Sequence, residues 1–216
     1  MNSVSRVERA RPIAAPDSAA RDAGLQQRAA LRPAVGLAVA SVLMMGLGYA
    51  IASTSLAGAA FPAQANGSLL LRDGQVVGSS LVAQPFAADG YFQTRPSAAG
   101  YDPMAAAGSN MARSNPALQQ RVAEATAAVA AREGVAESAV PSDLVTQSGG
   151  GMDPELSPRA VALQVPRVAR ARGLPPTQVQ ALVSAHTQEP RWGVFGQPRV
   201  NVMTLNLALD AAQAAR

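Results

Sequence analysis

AVGLAVASVLMMGLGYAIASTSLAGAA, residues Ala34 to Ala60, contains no charged side chain over 27 positions. An α-helix of this length rises about 40 Å, which exceeds the ~30 Å hydrocarbon core of a bilayer. A helix is required because lipid offers the backbone no hydrogen-bond partners. We therefore predict a transmembrane helix over residues 33–60. Four small residues would allow a neighbouring helix to approach it closely: Gly36, Ser41, Gly46 and Gly48.

The alternative for this stretch is a cleaved signal peptide. Ala63-Gln64-Ala65 has the small-x-small pattern of a cleavage site. The apolar region of a signal peptide is usually about 7 to 15 residues long, however, and the stretch here is longer. Its length favours a retained membrane anchor.

The charges before the apolar stretch predict its orientation. Residues 1–32 carry six Arg and three acidic residues, whereas Arg and acidic residues almost balance after the stretch. Positive charge next to a first span marks the cytoplasmic side. We expect residues 1–32 to form a disordered Arg-rich cytoplasmic tail and residues 61–216 an extracytoplasmic domain. The chain would then be a single-pass protein of the cell (inner) membrane, with membrane lipid around the span and no nucleic-acid partner.

Composition excludes several classes of catalytic site. The chain has no Cys and one His, His186, so thiolate metal sites, thiol nucleophiles and a His pair for zinc are ruled out. No P-loop, HExxH or GxSxG motif is present. We expect no enzyme activity from this chain alone and no metal site.

The residues after the span predict an α+β domain with a small β-hairpin or sheet and about four helices. Asp73-Gly74 between two apolar runs is typical of a tight hairpin turn. Asn115-Pro116 and Ser157-Pro158 are typical helix starts, each with a capping side chain before Pro. The predicted helices run from 116 to about 132, 158 to about 172, 176 to about 187 and 202 to about 212. Each has apolar residues at helical spacing.

Three polar segments leave alternatives open. Gly78-Ser79-Ser80 could cradle a phosphate, but a glycine tolerated in a strand is the better interpretation because no Walker spacing follows. The three glycines at 149–151 could form an anion nest or a flexible elbow, and the elbow is favoured. The irregular stretch 91–115 is either a recognition surface or a loop pinned to the core by its aromatic residues. Gln164 and Arg167 are expected on the face that flanks the apolar stripe of the predicted helix from 158 to about 172, where they could pair with a partner subunit or with a neighbouring loop.

Several blocks of residues resemble one family in their order along the chain. They include Phe61-Pro62-x-Gln64-Ala65-Asn66-Gly67-Ser68, Tyr91-Phe92 with Arg95-Pro96-Ser97-Ala98, Ser114-Asn115-Pro116, Gly151-Met152-Asp153, Gln164-Val165-Pro166-Arg167-Val168-Ala169 and Gly196-Gln197-Pro198-Arg199-Val200-Asn201-Val202. On these blocks, from Leu31 to Asp210, the chain resembles the C subunit of the Kdp potassium-transporting ATPase. It departs from the family pattern in its extension before Leu31, in Ala50 and in Gln93-Thr94.

The resemblance implies an accessory, non-catalytic subunit of a high-affinity potassium uptake complex. The resemblance also implies its partners, a potassium-conducting subunit and an ATP-hydrolysing P-type subunit. This chain has neither a DKTGT aspartate nor a TVGYG-like filter, so it is itself neither of those subunits. The family has been proposed to act as a catalytic chaperone that raises ATP affinity. That role would make Gln164 a candidate nucleotide contact, with ATP met only through the complex and no tightly bound cofactor.

Ten residues of the resembling blocks are candidate contacts with partner subunits. They are Tyr91, Phe92, Arg95, Ser109, Asn110, Asn115, Asp153, Arg167, Asn201 and Asn206. Without the resemblance, the alternative function is a stand-alone membrane-anchored periplasmic binding or enzymatic domain. An extracytoplasmic domain cannot touch cytoplasmic ATP, so direct contact through Gln164 conflicts with the predicted topology.

Overall fold

The structure, a computed structural model, describes the backbone of residues 18–214 and the side chains of residues 30–214. The chain divides into two compact units, residues 1–62 and residues 63–216. The first 17 residues of the predicted tail lie outside the described residues.

The first unit is one long helical segment. Helix α1 (Ser18–Ser41) continues into a π-helical stretch (Val42–Gly48) and then into α2 (Tyr49–Ala60). Within the helix over residues 30–60, an 18-residue window has a mean hydropathy of 2.0 and none of it is buried, so the predicted long apolar helix is confirmed and is long enough to cross a membrane. The predicted tail differs in its second half, because residues 18–32 are helical and Pro33 lies within α1.

The π-helical stretch was not predicted. Its wider turns are marked by the N–H of Tyr49, which donates to the carbonyl of Met44 five residues earlier rather than four. Hydropathy alone gives no signal for this change of winding, because the stretch and the residues on both sides of it are all predominantly apolar.

The second unit begins with a short helix and the predicted hairpin. Helix α3 (Pro62–Ala65) precedes β1 (Leu69–Arg72), which pairs antiparallel with β2 (Gln75–Ser79). Asp73 and Gly74 have φ angles of +50° and +77°, as a primed two-residue turn requires. The interpretation of Gly78 as a strand residue is also confirmed. A Cβ there would lie 2.9 Å from the Gln84 side chain and 3.0 Å from Met203.

The four predicted helices of the domain are present. They are α4 (Pro116–Glu133), α5 (Pro158–Arg172), α6 (Pro176–Ala185) and α7 (Val202–Ala214). The side chains of Asn115 and Ser157 cap α4 and α5 by accepting backbone N–H bonds, and Gly134 and Gly173 end them in the left-handed conformation. Local sequence signals therefore place the helix ends well. Helix α6 stops before Thr187, which instead enters a strand.

A second, three-stranded antiparallel sheet was not predicted. Its strands are β3 (Glu155–Leu156), β4 (Thr187–Gln188) and β5 (Arg199–Asn201), in the order β3-β5-β4. Strands of two or three residues are too short to show an alternating pattern. The sheet matters for function because β5 leads directly into α7 and β4 leads into an exposed turn.

The core of the domain lies between α5, α6, α7 and the strand β5. Its fully buried side chains are Phe92, Val161, Val168, Val179, Val200, Val202, Leu205 and Leu209. Burying one Val, Leu or Phe side chain contributes about 1.5 to 3 kcal/mol, so this cluster supplies most of the driving force for folding. Phe92 belongs to the loop after the hairpin, which shows that the loop is pinned to the core.

Candidate functional site

A polar feature inside the domain is a segment of the loop after the hairpin that begins with a turn and has no strand partner. We call residues 89–93 the clamped segment. Each of its five backbone carbonyls accepts a hydrogen bond from a side chain of α5 or α7. Buried backbone groups must be paired, and here side chains take the place of a neighbouring strand.

Gln164 on α5 binds one end of the clamped segment at two points. Its Oε1 accepts from the N–H of Gln93 at 2.8 Å, and its Nε2 donates to the carbonyl of Gln93 at 3.2 Å. The Gln164 side chain is completely buried, and its remaining contacts go to Arg167 and to the carbonyl of Ala160. The amide of Gln164 is thus fully used within the domain.

Asn206 on α7 makes the same two-point contact with the neighbouring residue. Its Oδ1 accepts from the N–H of Phe92 and its Nδ2 donates to the carbonyl of Phe92, each at 2.9 Å. Two amide side chains from different helices therefore grip two successive residues. This arrangement fixes both the position and the rotation of the clamped segment, and so seats the Phe92 ring in the core.

Arg167 extends the clamp toward α4. Its Nη1 donates to the carbonyls of Asp89 (2.5 Å) and Tyr91 (3.0 Å), and its Nε lies 3.0 Å from Glu133 Oε2. The Glu133 carboxylate is completely buried and also accepts from Arg132 Nε at 2.8 Å. Removing either residue would leave the buried charge of the other uncompensated. Because Glu133 belongs to α4 and Arg167 to α5, the pair holds these two helices together.

A second charged cluster surrounds Asp210 on α7. Its carboxylate binds Arg172 Nη2 at 2.8 Å, accepts from the Tyr91 hydroxyl at 3.2 Å and pairs with Arg72 of the hairpin. The Arg172 guanidinium also lies 4.5 Å from the centre of the Tyr91 ring. Beside this cluster is a cavity of about 160 Å³ between the hairpin and α7, lined in part by Gln84 and Met203. The cluster holds the hairpin against the last helix.

The third polar region is a broad cleft at the start of α5. It is lined by Arg95, Arg159 and Arg199 together with Asp143 and Glu155. Two of the arginines are already paired, Arg199 with Glu155 at 2.8 Å and Arg95 with Asp153 at 2.9 Å. Positive and negative charges in the cleft therefore largely neutralise each other, which disfavours an anion site.

Four of the ten predicted interface residues are buried. Phe92, Arg167, Asn201 and Asn206 all have less than one tenth of their surface exposed, so they hold the domain together. The expected placement of Gln164 and Arg167 on a flanking face is wrong, because both point inward. The sequence left two kinds of partner open for Gln164, a partner subunit or a neighbouring loop. In the structure, its side chain binds the loop residue Gln93.

The other predicted residues lie nearer the surface. Asn110 is exposed, and the remaining five are partly exposed: Tyr91, Arg95, Ser109, Asn115 and Asp153. Ser109 accepts from Arg121 Nη2 at 3.2 Å, and the Asn115 side chain is occupied as the cap of α4. The structure brings together Tyr91, Phe92, Arg167 and Asn206 at the clamped segment, whereas Ser109, Asn110 and Asn115 lie apart from it in the loop before α4.

Sequence reasoning missed Glu133, although a signal for it existed. Glu133 follows Val129 by four residues and therefore continues the apolar stripe of α4. Gln164 likewise lies three residues after Val161 and four before Val168. A charged or amide side chain on an otherwise apolar stripe indicates a buried polar network.

The described residues bring together no group of three or more His, Cys, Asp or Glu side chains that could hold a metal ion. His186 ends α6, with its Nδ1 at 2.9 Å from the carbonyl of Leu182. The side chains of α5 and α7 that bind the clamped segment fix its position in the domain.

The comparisons with known proteins cover both units of the chain. The profile of the family described as KdpC, K+-transporting ATPase, c chain, matches residues 31–211. A protein of Xanthomonas campestris named potassium-transporting ATPase KdpC subunit is 56% identical over 188 residues, covering 87% of this chain and 90% of the relative. Proteins with the same name from Shewanella putrefaciens and Variovorax paradoxus are 51% and 50% identical, covering 80% and 86% of this chain.

Proposed function

The chain belongs to the KdpC family, the c chain of K+-transporting ATPases, and from this premise we propose that it is an accessory, non-catalytic subunit of a high-affinity, ATP-driven potassium uptake complex. The observation that carries the proposal is the extent of the match, which begins at residue 31, at the start of the apolar helix over residues 30–60, and ends in α7. The named relatives are similar across the anchor and the domain together, rather than across one motif. We propose a potassium-conducting subunit and an ATP-hydrolysing P-type subunit as its partners.

We further propose that the domain lies outside the cytoplasm. The support is the charge distribution, with six Arg before the span and a nearly neutral domain after it. In this orientation the domain would meet the outer face of the conducting subunit, and residues 1–32 with the inner part of the span would lie on the cytoplasmic side.

Any effect on ATP use would then be transmitted through the partner subunits. Gln164 has no exposed surface, and both atoms of its amide group are bound to Gln93, Arg167 and Ala160. A nucleotide could reach this amide only if the clamped segment were displaced. We propose that Gln164 positions the clamped segment and that a coupling of about 1 to 3 kcal/mol between separate sites accounts for any chaperone effect.

Growth of a deletion strain tests the proposed function. In a strain without other potassium uptake systems, loss of this chain should abolish growth at micromolar external potassium and leave growth at millimolar potassium normal. Complementation with the full chain should restore growth at low potassium. Normal growth of the deletion strain at low potassium would contradict the proposal and favour a stand-alone binding domain.

The indirect role of Gln164 has a separate test. Gln164→Ala should weaken co-purification with the partner subunits or lower potassium-stimulated ATP turnover, whereas Gln180→Ala on the exposed face of α6 should change neither. Photo-crosslinking of an azido-ATP to Gln164 in the intact, correctly oriented complex would restore direct nucleotide contact and contradict the indirect role.

A further inference from the structure

The turn between β4 and β5 exposes the largest aromatic side chain of the domain. We call residues 191–195, Arg-Trp-Gly-Val-Phe, the aromatic tip. Trp192 is 80% exposed, Val194 76% and Phe195 63%. Trp192 is also the single Trp of the chain. Isolated exposed apolar residues are ordinary on protein surfaces, but three within four positions form a contiguous patch.

The conformation of the aromatic tip is held by its own backbone. Arg191 and Phe195 exchange two hydrogen bonds, N–H of Arg191 to the carbonyl of Phe195 at 2.8 Å and the reverse at 3.0 Å. The Trp192 and Phe195 rings meet edge to face with their centres 5.9 Å apart. Trp192 adopts a φ of +57°, which is rare for a bulky side chain. Strained backbone of this kind tends to occur where a side chain is presented for a purpose.

Folding of the domain does not account for the exposed side chains of the tip. The strands β4 and β5 are joined to the core through Val200, which is fully buried, while the tip projects beyond them. Replacing Trp192 or Val194 by a polar residue would remove no core contact. The apolar character of the tip therefore points to something outside the chain.

The charge of the tip indicates which partner fits it. The tip itself carries one Arg and no acidic residue, the exposed Glu189 lies two positions before it, and Arg199 lies four positions after it. Arg199 is paired with Glu155, but among the described residues Arg191 has no ion pair, and its guanidinium stacks 5.2 Å from the Trp192 ring. The tip thus combines the rings of Trp192 and Phe195 and the Val194 side chain with the guanidinium group of Arg191. This combination is found where proteins meet the headgroup region of a bilayer.

We propose that the aromatic tip inserts into the headgroup region of the membrane that holds the apolar helix. Trp192, Val194 and Phe195 would lie at the boundary with the acyl chains, and Arg191 would bind the phosphates of anionic phospholipids. Three apolar side chains would bind vesicles weakly if the domain were free. The second unit begins at Ala63, three residues after α2 ends at Ala60, and this short connection keeps the bilayer at a high effective concentration.

The single Trp makes the test direct. The full chain is reconstituted in nanodiscs of phosphatidylcholine and phosphatidylglycerol, with or without bromine on the acyl chains. Trp192 emission should shift to the blue relative to detergent, and brominated lipid should remove roughly half or more of it, as expected for a ring at the interface. Val194→Asp should abolish the shift and the quenching. Gln180→Asp, which adds the same charge on the exposed face of α6, should leave both unchanged.

Two results would overturn the proposal. In the first, Trp192 emission stays at its solvent position, with equal intensity in plain and brominated nanodiscs. In the second, the emission shifts only when the partner subunits are co-reconstituted and remains insensitive to bromine, so that the tip contacts protein. Circular dichroism of both variants verifies that the domain remains folded. Neither result bears on whether the chain supports growth at low potassium.

Discussion

Truncation of Gln164 to Ala should destabilise the domain by about 2 to 4 kcal/mol. The change leaves two hydrogen-bond donors without their partner, the N–H of Gln93 and Nη2 of Arg167. A buried polar group that loses its partner costs about 1 to 3 kcal/mol, and the cavity left by the side chain adds to that cost. Gln164→Met keeps most of the side-chain volume and loses the same bonds, so it isolates the hydrogen-bond contribution.

Two measurements on the full chain in detergent check this prediction. Denaturant unfolding followed by circular dichroism gives the loss of free energy, and hydrogen exchange reports the Gln93 amide itself. A loss of about 2.8 kcal/mol corresponds to a hundredfold faster exchange of that amide. Gln180→Ala is the matched control and should stay within about 0.5 kcal/mol of the parent chain. The reasoning would be refuted if Gln164→Ala cost under about 1 kcal/mol and left exchange at Gln93 unchanged.

Three further predictions follow from other features. A single Cys replacing the exposed Gln75 should react with a membrane-impermeant thiol reagent in intact cells, and reaction only after lysis would reverse the proposed topology. Glu133→Gln and Arg167→Gln should each cost about 3 to 5 kcal/mol in denaturant unfolding, and additive losses in the double variant would argue against the ion pair. Gly108→Ala places a Cβ 2.7 Å from the carbonyl of Gly149 and should lower the unfolding free energy by about 1 to 3 kcal/mol, whereas Gly149→Ala, with open space around it, serves as the control.

The parts of the fold that sequence predicted correctly depend on local chemistry. Asp73-Gly74 supplies the two positive φ angles of the hairpin turn within the turn itself, and Asn115 and Ser157 cap helices whose first residues they precede. The apolar helix is likewise encoded by consecutive residues. The turn and the caps act within fewer than five positions, and the apolar helix follows from one uninterrupted run of residues, so no knowledge of the tertiary structure is needed.

The parts that sequence did not predict depend on distant partners. Gln164 binds Gln93 across 71 residues, and Asn206 binds Phe92 across 114. A polar residue on a helix suggests a surface position unless its partner is known, and this is why Gln164 and Arg167 were expected on the flanking face. The strands β3, β4 and β5 are hard to predict for the same reason, because a run of two or three residues becomes a strand only by pairing with a distant segment.

The π-helical stretch between Ser41 and Tyr49 changes the angular positions of the side chains in α2 relative to those in α1. An α-helix advances each side chain by about 100°, and a stretch bonded to the fifth residue advances it by less. A line of side chains that begins at Gly36 in α1 is therefore out of phase with one drawn through α2. Gly36, Ser41, Gly46 and Gly48 do not form one seam, since at about 100° per residue they already fall at different angles on an ideal helical wheel. Side chains at regular helical spacing therefore face different directions before and after the π-helical stretch. In a bilayer, each leaflet would then place a different neighbouring helix against this chain.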